Sequence, residues 1–245
     1  MQEHLPIPVE EAEIDSHVVD EFTTEDGDQF MRLLLVAGHR DMVGAHTDAA
    51  DRAGLTPLGV DLNPFAVLRA MGNASELDEG SEVLIDVGGG VTDIIVHRAG
   101  TPTFVRILVL GGDDITSALA SGAGLSPEDA ELTKRRVGTR DTSGEVAGRI
   151  VAERAAAFVD EVRSSLDYYQ AQPGAGRLTN VVLTGGGALL DGLADRLADA
   201  VRLPVEIGNV FDRLAVKGTD RSEEDLARIG PSLAGAVGLA MGGLE

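Results

Sequence analysis

Apolar positions change rhythm several times along the 245 residues, and each change marks an element. Arg32 to Ala37 (RLLLVA) is an apolar run that predicts a strand. A looser alternation over Glu13 to Val19 predicts another, and Glu25-Asp26-Gly27-Asp28 between them reads as a turn. Leu5-Pro6-Ile7-Pro8 reads as extended chain, because proline fixes its own backbone and restricts its predecessor. From about Asp41 to Ala53 the pattern is helical, and Gly54 stands where a helix stop belongs. Thr56 to Leu62 (TPLGVDL) predicts a further strand. Asn63-Pro64 then opens a short helix, with Asn as N-cap and Pro at the first helical position.

Gly72 to Gly80 (GNASELDEG) is a polar link, where a domain boundary is expected. Three strands follow in quick succession, Glu82 to Val87, Val91 to His97 and Thr103 to Leu110. Short Gly-containing turns join them into an antiparallel meander. Helices are expected at about Asp113–Ala120 and Pro127–Arg136. A loop over Gly138 to Ser143 leads to a long helix reaching about Gln172. In that helix Val146, Ile150, Phe158, Val162 and Leu166 share one face. Asn180 to Thr184 predicts a strand and Leu189 to Val201 a helix. Glu223 to Gly242 is helical in composition but broken at Gly230-Pro231. Strands and helices mixed in this way place the chain in the α/β class.

Apolar residues at 43% allow a sizeable core, and 25% charged residues argue against a disordered polyanion. The net charge of −21, with Lys134 and Lys217 the only lysines, argues against nucleic-acid binding, which needs clustered basic groups. Cysteine is absent, so disulfides and thiolate metal sites are excluded. His4, His17, His39, His46 and His97 show no metal-ligand spacing and read as structural or surface residues. No run of about 18 apolar residues is present to span a membrane. No signal peptide is visible either, so a cytoplasmic protein is expected.

Three segments carry candidate chemistry. Asp86-Val87-Gly88-Gly89-Gly90-Val91-Thr92-Asp93 lies between two strands. Its glycines leave the tip without Cβ atoms, so backbone N–H groups can converge on an anion. Asp86 and Asp93 can hold a magnesium ion through water. A dinucleotide loop would need a helix after the glycines, but Ile94-Ile95-Val96 continues as strand. Glycine and aspartate also make plain hairpin turns. The second segment is Val181 to Leu190, a strand followed by Gly185-Gly186-Gly187, where a base or phosphate can lie against bare backbone. The third is Ala130-Glu131-Leu132-Thr133-Lys134, whose Glu131 and Lys134 share a helix face. They could grip ribose hydroxyls or form an ordinary ion pair.

In order and spacing the three segments resemble the actin-like ATPase superfamily. The chain is further similar to the type IV pilus assembly protein PilM family, through Glu161 to Tyr169, Leu203 to Ile207 with Phe211, Leu34 to Ala70 and Ile7 to Ala12. The resemblance implies an actin-like, ribonuclease H-like fold. In it Asp86, Gly88, Gly89, Gly90, Thr92 and Asp93 take phosphate, Asp86 holding magnesium through water. Glu131 and Lys134 take ribose, and Gly185, Gly186 and Gly187 take adenosine of a bound ATP. It further implies an inserted partner-binding subdomain at 1–54 and a remnant of the first domain at 55–75, to which a helix at 227–243 returns. The nucleotide-binding domain is then 81–226. Nothing of DIGxxxxK type occurs in residues 1–80, so the resemblance implies a first domain incomplete at the N-terminus and ATPase activity weak at most. The implied role is a scaffold at the inner membrane that docks the cytoplasmic N-terminal peptide of a PilN-like protein, with self-association left open. The alternatives are a filament-forming cell-division protein like FtsA, or a phosphotransferase of the same superfamily.

Overall fold

The computed structural model describes residues 7–24, 27–73, 80–140, 145–214 and 216–242. Leu5-Pro6, the first half of the Glu25–Asp28 turn, most of the 72–80 link, the end of the 138–143 loop and residue 243 lie outside them. The chain divides into two compact units, Met1–Asp61 and Leu62–Glu245. That division falls ahead of the short helix that opens at Asn63, whereas the sequence places a boundary at 72–80.

The first unit is a long hairpin and a helix. Strand β1 (Ala12–Thr23) pairs antiparallel with β2 (Gln29–His39), with one irregularity between Val18 and Asp20. Both strands run well past their predicted spans. Phe22 stacks on Phe30 across the pair, ring centres 5.9 Å apart. Helix α1 (Arg40–Arg52) follows directly, and the Arg40 guanidinium ties its start to the Glu13 carboxylate at 2.8 Å. Ala12 is the one fully buried hydrophobic side chain among this unit's described residues, while Met31 is 59% and Leu33 50% exposed. Thr56 to Leu62 does not form the predicted strand, and Leu58 is 94% exposed. Pro57 removes a ladder donor and Gly59 offers no side chain to pack, so an apolar alternation does not become a strand.

The second unit is built on a five-stranded sheet of order β5-β4-β3-β6-β7. Strands β3 (Ser81–Val87), β4 (Thr92–Arg98) and β5 (Thr101–Leu108) form the expected antiparallel meander. Strand β6 (Leu178–Thr184) runs parallel to β3, and the unpredicted three-residue β7 (Val205–Ile207) runs parallel to β6. Around the sheet lie α2 (Asn63–Met71), α3 (Gly112–Ala123), α4 (Pro127–Val137), α5 (Val146–Gln170), α6 (Leu193–Val201), α7 (Glu223–Ile229) and α8 (Ala234–Gly242).

Strand β3 is apolar on both faces because both are covered. Val83, Ile85 and Val87 pack with Phe158, Val162 and Leu166 of α5, as the helix periodicity predicts. Val146 of that predicted face is 48% exposed, and Val151 and Ala155 are buried instead. On the other face Leu84 and Ile95 pack with Val67 and Met71 of α2 and Ala234 of α8. Each such fully buried side chain contributes about 1.5–3 kcal/mol. His97, 1% exposed, bonds Glu82 at 2.9 Å near one end of the sheet, so this histidine is structural.

The predicted helix Leu189–Val201 starts late. A 3₁₀ turn over Gly186–Leu189 comes first, Gly192 takes a left-handed φ of 80°, and α6 begins at Leu193. The Asp191 carbonyl accepts from Thr139, by its N–H at 2.7 Å and its hydroxyl at 3.0 Å, which draws this peptide out of helical register.

Helices α2 and α8 approach through glycine. A Cβ on Gly238 would overlap the Ala66 carbonyl, and the Arg69 guanidinium donates to the Gly238 carbonyl at 3.1 Å. We therefore expect Gly238→Val to cost about 1–3 kcal/mol, as overpacking does, measured by denaturant unfolding. An unchanged midpoint would show that this close approach is not needed.

Candidate functional site

The two Gly-rich turns and the Glu131–Lys134 helix come from distant stretches of sequence, yet they meet. Gly88 and Gly89 between β3 and β4, Glu131 and Lys134 on α4, and Gly186 and Gly187 after β6 all line one cleft of about 750 Å³. Leu110 to Thr116, at the start of α3, and Phe158 and Glu161 of α5 complete it. Asp86, Gly90, Thr92, Asp93 and Gly185 do not line it. Thr92 is buried, its hydroxyl donating to the Leu110 carbonyl at 2.9 Å.

The hairpin tip is fastened to α3 by backbone. Gly112 N–H donates to the Gly88 carbonyl at 3.0 Å and Asp113 N–H to the Gly89 carbonyl at 2.9 Å. A Cβ on Gly111 would overlap both carbonyls, so only glycine permits the approach. Gly111 N–H is taken by the Asp114 carboxylate at 2.7 Å, so the first N–H groups of α3 are spent inside the protein. Gly88 N–H is also committed, to the Val91 carbonyl at 2.9 Å. Among the described residues the N–H groups of Gly89 and Gly90 have no acceptor, so these two donors of the tip remain available. The sequence reading missed Gly111 and Gly112, although a Gly-Gly pair between strand and helix was a signal available to it.

Asp86 and Asp93 face each other across β3 and β4 and share one donor. The Asn63 side-chain amide reaches Asp86 Oδ2 at 2.9 Å and Asp93 Oδ2 at 2.7 Å. Asn63 is therefore not the helix cap expected of it: it makes no side-chain cap bond, and Leu62 holds the cap position. Burial raises the Asp86 carboxyl above its ordinary range against the Asn63 bond. Burial also raises Asp93, again opposed by Asn63 and reinforced by the Asp86 charge. No cationic side chain pairs with either carboxylate among the described residues. Nor, among them, is any group of three or more His, Asp and Glu placed to hold a metal ion.

Glu131 and Lys134 are bonded more fully than an exposed i,i+3 pair. Glu131 Oε2 takes Lys134 Nζ at 2.6 Å and the Thr116 hydroxyl at 2.7 Å, and Oε1 takes Arg135 Nε at 2.8 Å. Burial alone would raise this carboxyl. The bonds from Lys134, Thr116 and Arg135, with the Lys134 charge, bring it down to about 2.

The three glycines after β6 carry different constraints. Gly185 has a φ of 85°, and a Cβ there would overlap Asp86 and Val87. One on Gly187 would overlap the Val87 side chain. One on Gly186 would meet only Ser232 Oγ, at 3.7 Å. Gly186 is thus the position in the triplet at which a side chain enters the cleft without disturbing the fold.

Among known proteins, the chain is similar to a solved PilM–PilN type IV pilus biogenesis complex. That match has 30% identity and a TM-score of 0.83, and covers all of this chain and 70% of the other. It is 28% identical over 243 residues to the cell division protein FtsA of Escherichia coli K12, covering 87% of this chain and 55% of FtsA. MreB5 of Spiroplasma citri bound to AMPPNP matches with a TM-score of 0.59 at 16% identity, over 83% of this chain and 64% of that one, which shows the actin-like fold. The chain spans about half the length of the FtsA it matches. The family model for type IV pilus assembly protein PilM covers residues 1–244, and the chain belongs to that family.

Proposed function

We propose that the cleft binds ATP with magnesium, and that the chain is a cytoplasmic scaffold at the inner-membrane platform of a type IV pilus. The observation that carries the nucleotide reading is the convergence of Gly88-Gly89, Glu131 and Gly186-Gly187 on one cleft. Its volume lies within the roughly 300–1,000 Å³ of ordinary ligand sites. The Gly89 N–H would hold phosphate, Glu131 a ribose hydroxyl, and Gly186 and Gly187 the adenosine. Asp86 and Asp93 fit a hard cation held through water, since they are oxygen donors, Asp93 buried and Asp86 half-buried, with no cationic partner among the described residues. When bound, the nucleotide supplies a triphosphate anion and magnesium the charge that offsets it.

The partner reading rests on the first unit and on the PilM–PilN match. Residues 1–54 would be the inserted subdomain that docks the cytoplasmic N-terminal peptide of a PilN-like protein. Val18 and Leu33, paired across β1 and β2, are 45% and 50% exposed, beside Met31 at 59%. A hairpin with so little buried surface gains stability by covering such residues. The FtsA match keeps a filament-forming role as the second reading.

Calorimetry with magnesium-ATP should show binding that Gly186→Leu abolishes, with the unfolding free energy of the ligand-free protein changed by no more than about 0.5 kcal/mol. Equal affinity in the variant would reject the cleft as the site. Asp86→Asn should stabilise the ligand-free protein at neutral pH by about 0.5–2 kcal/mol, because it removes one of two crowded, partly desolvated carboxylates. The raised carboxyls hold protons that the unfolded chain has released, so they cost the wild type stability as pH rises through their folded range. The gain in Asp86→Asn should therefore shrink in acid and be matched in the wild type by added magnesium; a variant less stable than wild type at pH 7 would count against this account. A PilN N-terminal peptide should slow amide exchange in residues 29–39, and Leu33→Asp should weaken its binding about tenfold or more. Nucleotide-dependent filaments with no peptide binding would favour the FtsA-like role.

A further inference from the structure

We propose that Lys134 is a positioning residue and not a nucleotide contact: its ammonium braces the first turn of α3, which holds the hairpin tip where phosphate would bind. The proposal rests on the nucleotide reading above but divides a pair to which the family resemblance gives one shared ribose role. An ammonium group has three donors. Here all three are used, on the Gly112 carbonyl at 3.0 Å, Thr116 Oγ1 at 2.9 Å and Glu131 Oε2 at 2.6 Å. The residue is 9% exposed. A Cβ on Gly112 would stand 3.2 Å from Nζ, so the α3 backbone passes directly beside the charge. A ribose hydroxyl could reach this ammonium only by breaking one of these bonds.

The brace continues to the tip. Gly112 accepts from Lys134 through its carbonyl and donates through its N–H to the Gly88 carbonyl. Two hydrogen bonds in series thus join α4 to the turn that would cradle phosphate. Thr116 fits the same chain, since its hydroxyl lies within donating reach of Glu131 Oε2 at 2.7 Å and of the Gly112 carbonyl at 3.2 Å, and its oxygen accepts from Lys134. Glu131 differs from Lys134. Its Oε1 takes one bond, from Arg135, and a carboxylate oxygen can accept two. Glu131 therefore keeps room for a hydroxyl, and Lys134 does not.

Two measurements on the wild type, Lys134→Met and Thr116→Val test the brace. The first is amide exchange at Gly112 and Asp113 without nucleotide. The second is the affinity for ATP and for 3′-deoxy-ATP by calorimetry. Both variants should exchange these amides faster and bind ATP about tenfold more weakly, the loss expected for one charged hydrogen bond. The ratio of ATP to 3′-deoxy-ATP affinity should stay at its wild-type value. Thr116→Val retains the ammonium, so it carries the test if Lys134→Met does not fold. A ratio collapsing toward one in Lys134→Met would identify a ribose contact and overturn the proposal, as would unchanged exchange at Gly112 and Asp113. A wild type that binds no nucleotide would remove the ligand reading, and the exchange rates would still decide whether Lys134 braces α3.

Discussion

The second unit depends on a contact between two pieces of bare backbone. The Gly88 and Gly89 carbonyls accept from Gly112 and Asp113, and Gly111 passes so close that any side chain would overlap them. Without that contact the hairpin tip and the start of α3 would be two unrelated loops. With it, the end of a sheet and the end of a helix become one rigid wall. The core supports this wall from behind. β3 is packed on both faces, so its last residues emerge in a fixed direction, and Val87 is held by the same cluster that contains Phe158 and Leu183.

The conformational cost of the arrangement is concentrated where ligand is expected. Half-buried Asp86 and buried Asp93 face each other with one amide between them, an arrangement that packing alone would not select. Glu131, by contrast, is fully compensated and stays charged well into acid. One pair of acids is held in tension and the other acid is held at rest, both close to the same glycines.

Much of this was legible in the sequence, because the signals were local. The meander, α4, the Phe158–Leu166 face of α5 and the glycine turns each follow from patterns spanning a few residues. What was not legible depended on distant partners. Asn63 looks like a helix cap because Asn-Pro usually begins a helix, and nothing within ten residues announces carboxylates 23 and 30 positions away. Thr56 to Leu62 has a strand's alternation, but Pro57 and Gly59 interrupt it. The late start of α6 follows from a carbonyl drawn toward Thr139, 52 residues earlier in the chain. The glycine triplet shows the same limit in small: three identical letters carry three different constraints, and only their surroundings separate them.

The order of strands in the sheet also sets unequal costs of closure. The meander closes through short turns, whereas β3 meets β6 only after a long intervening segment has been drawn in, as the bond from Thr179 to Ser81 across 98 positions shows. Closing such a loop carries an entropic cost that neighbouring strands do not face. The hairpin glycines are therefore placed by local pairing, while Gly186 is placed only through β6. The cleft needs that long-range pairing as well as the local hairpin, so a ligand that spans both walls would reinforce the most costly closure in the sheet.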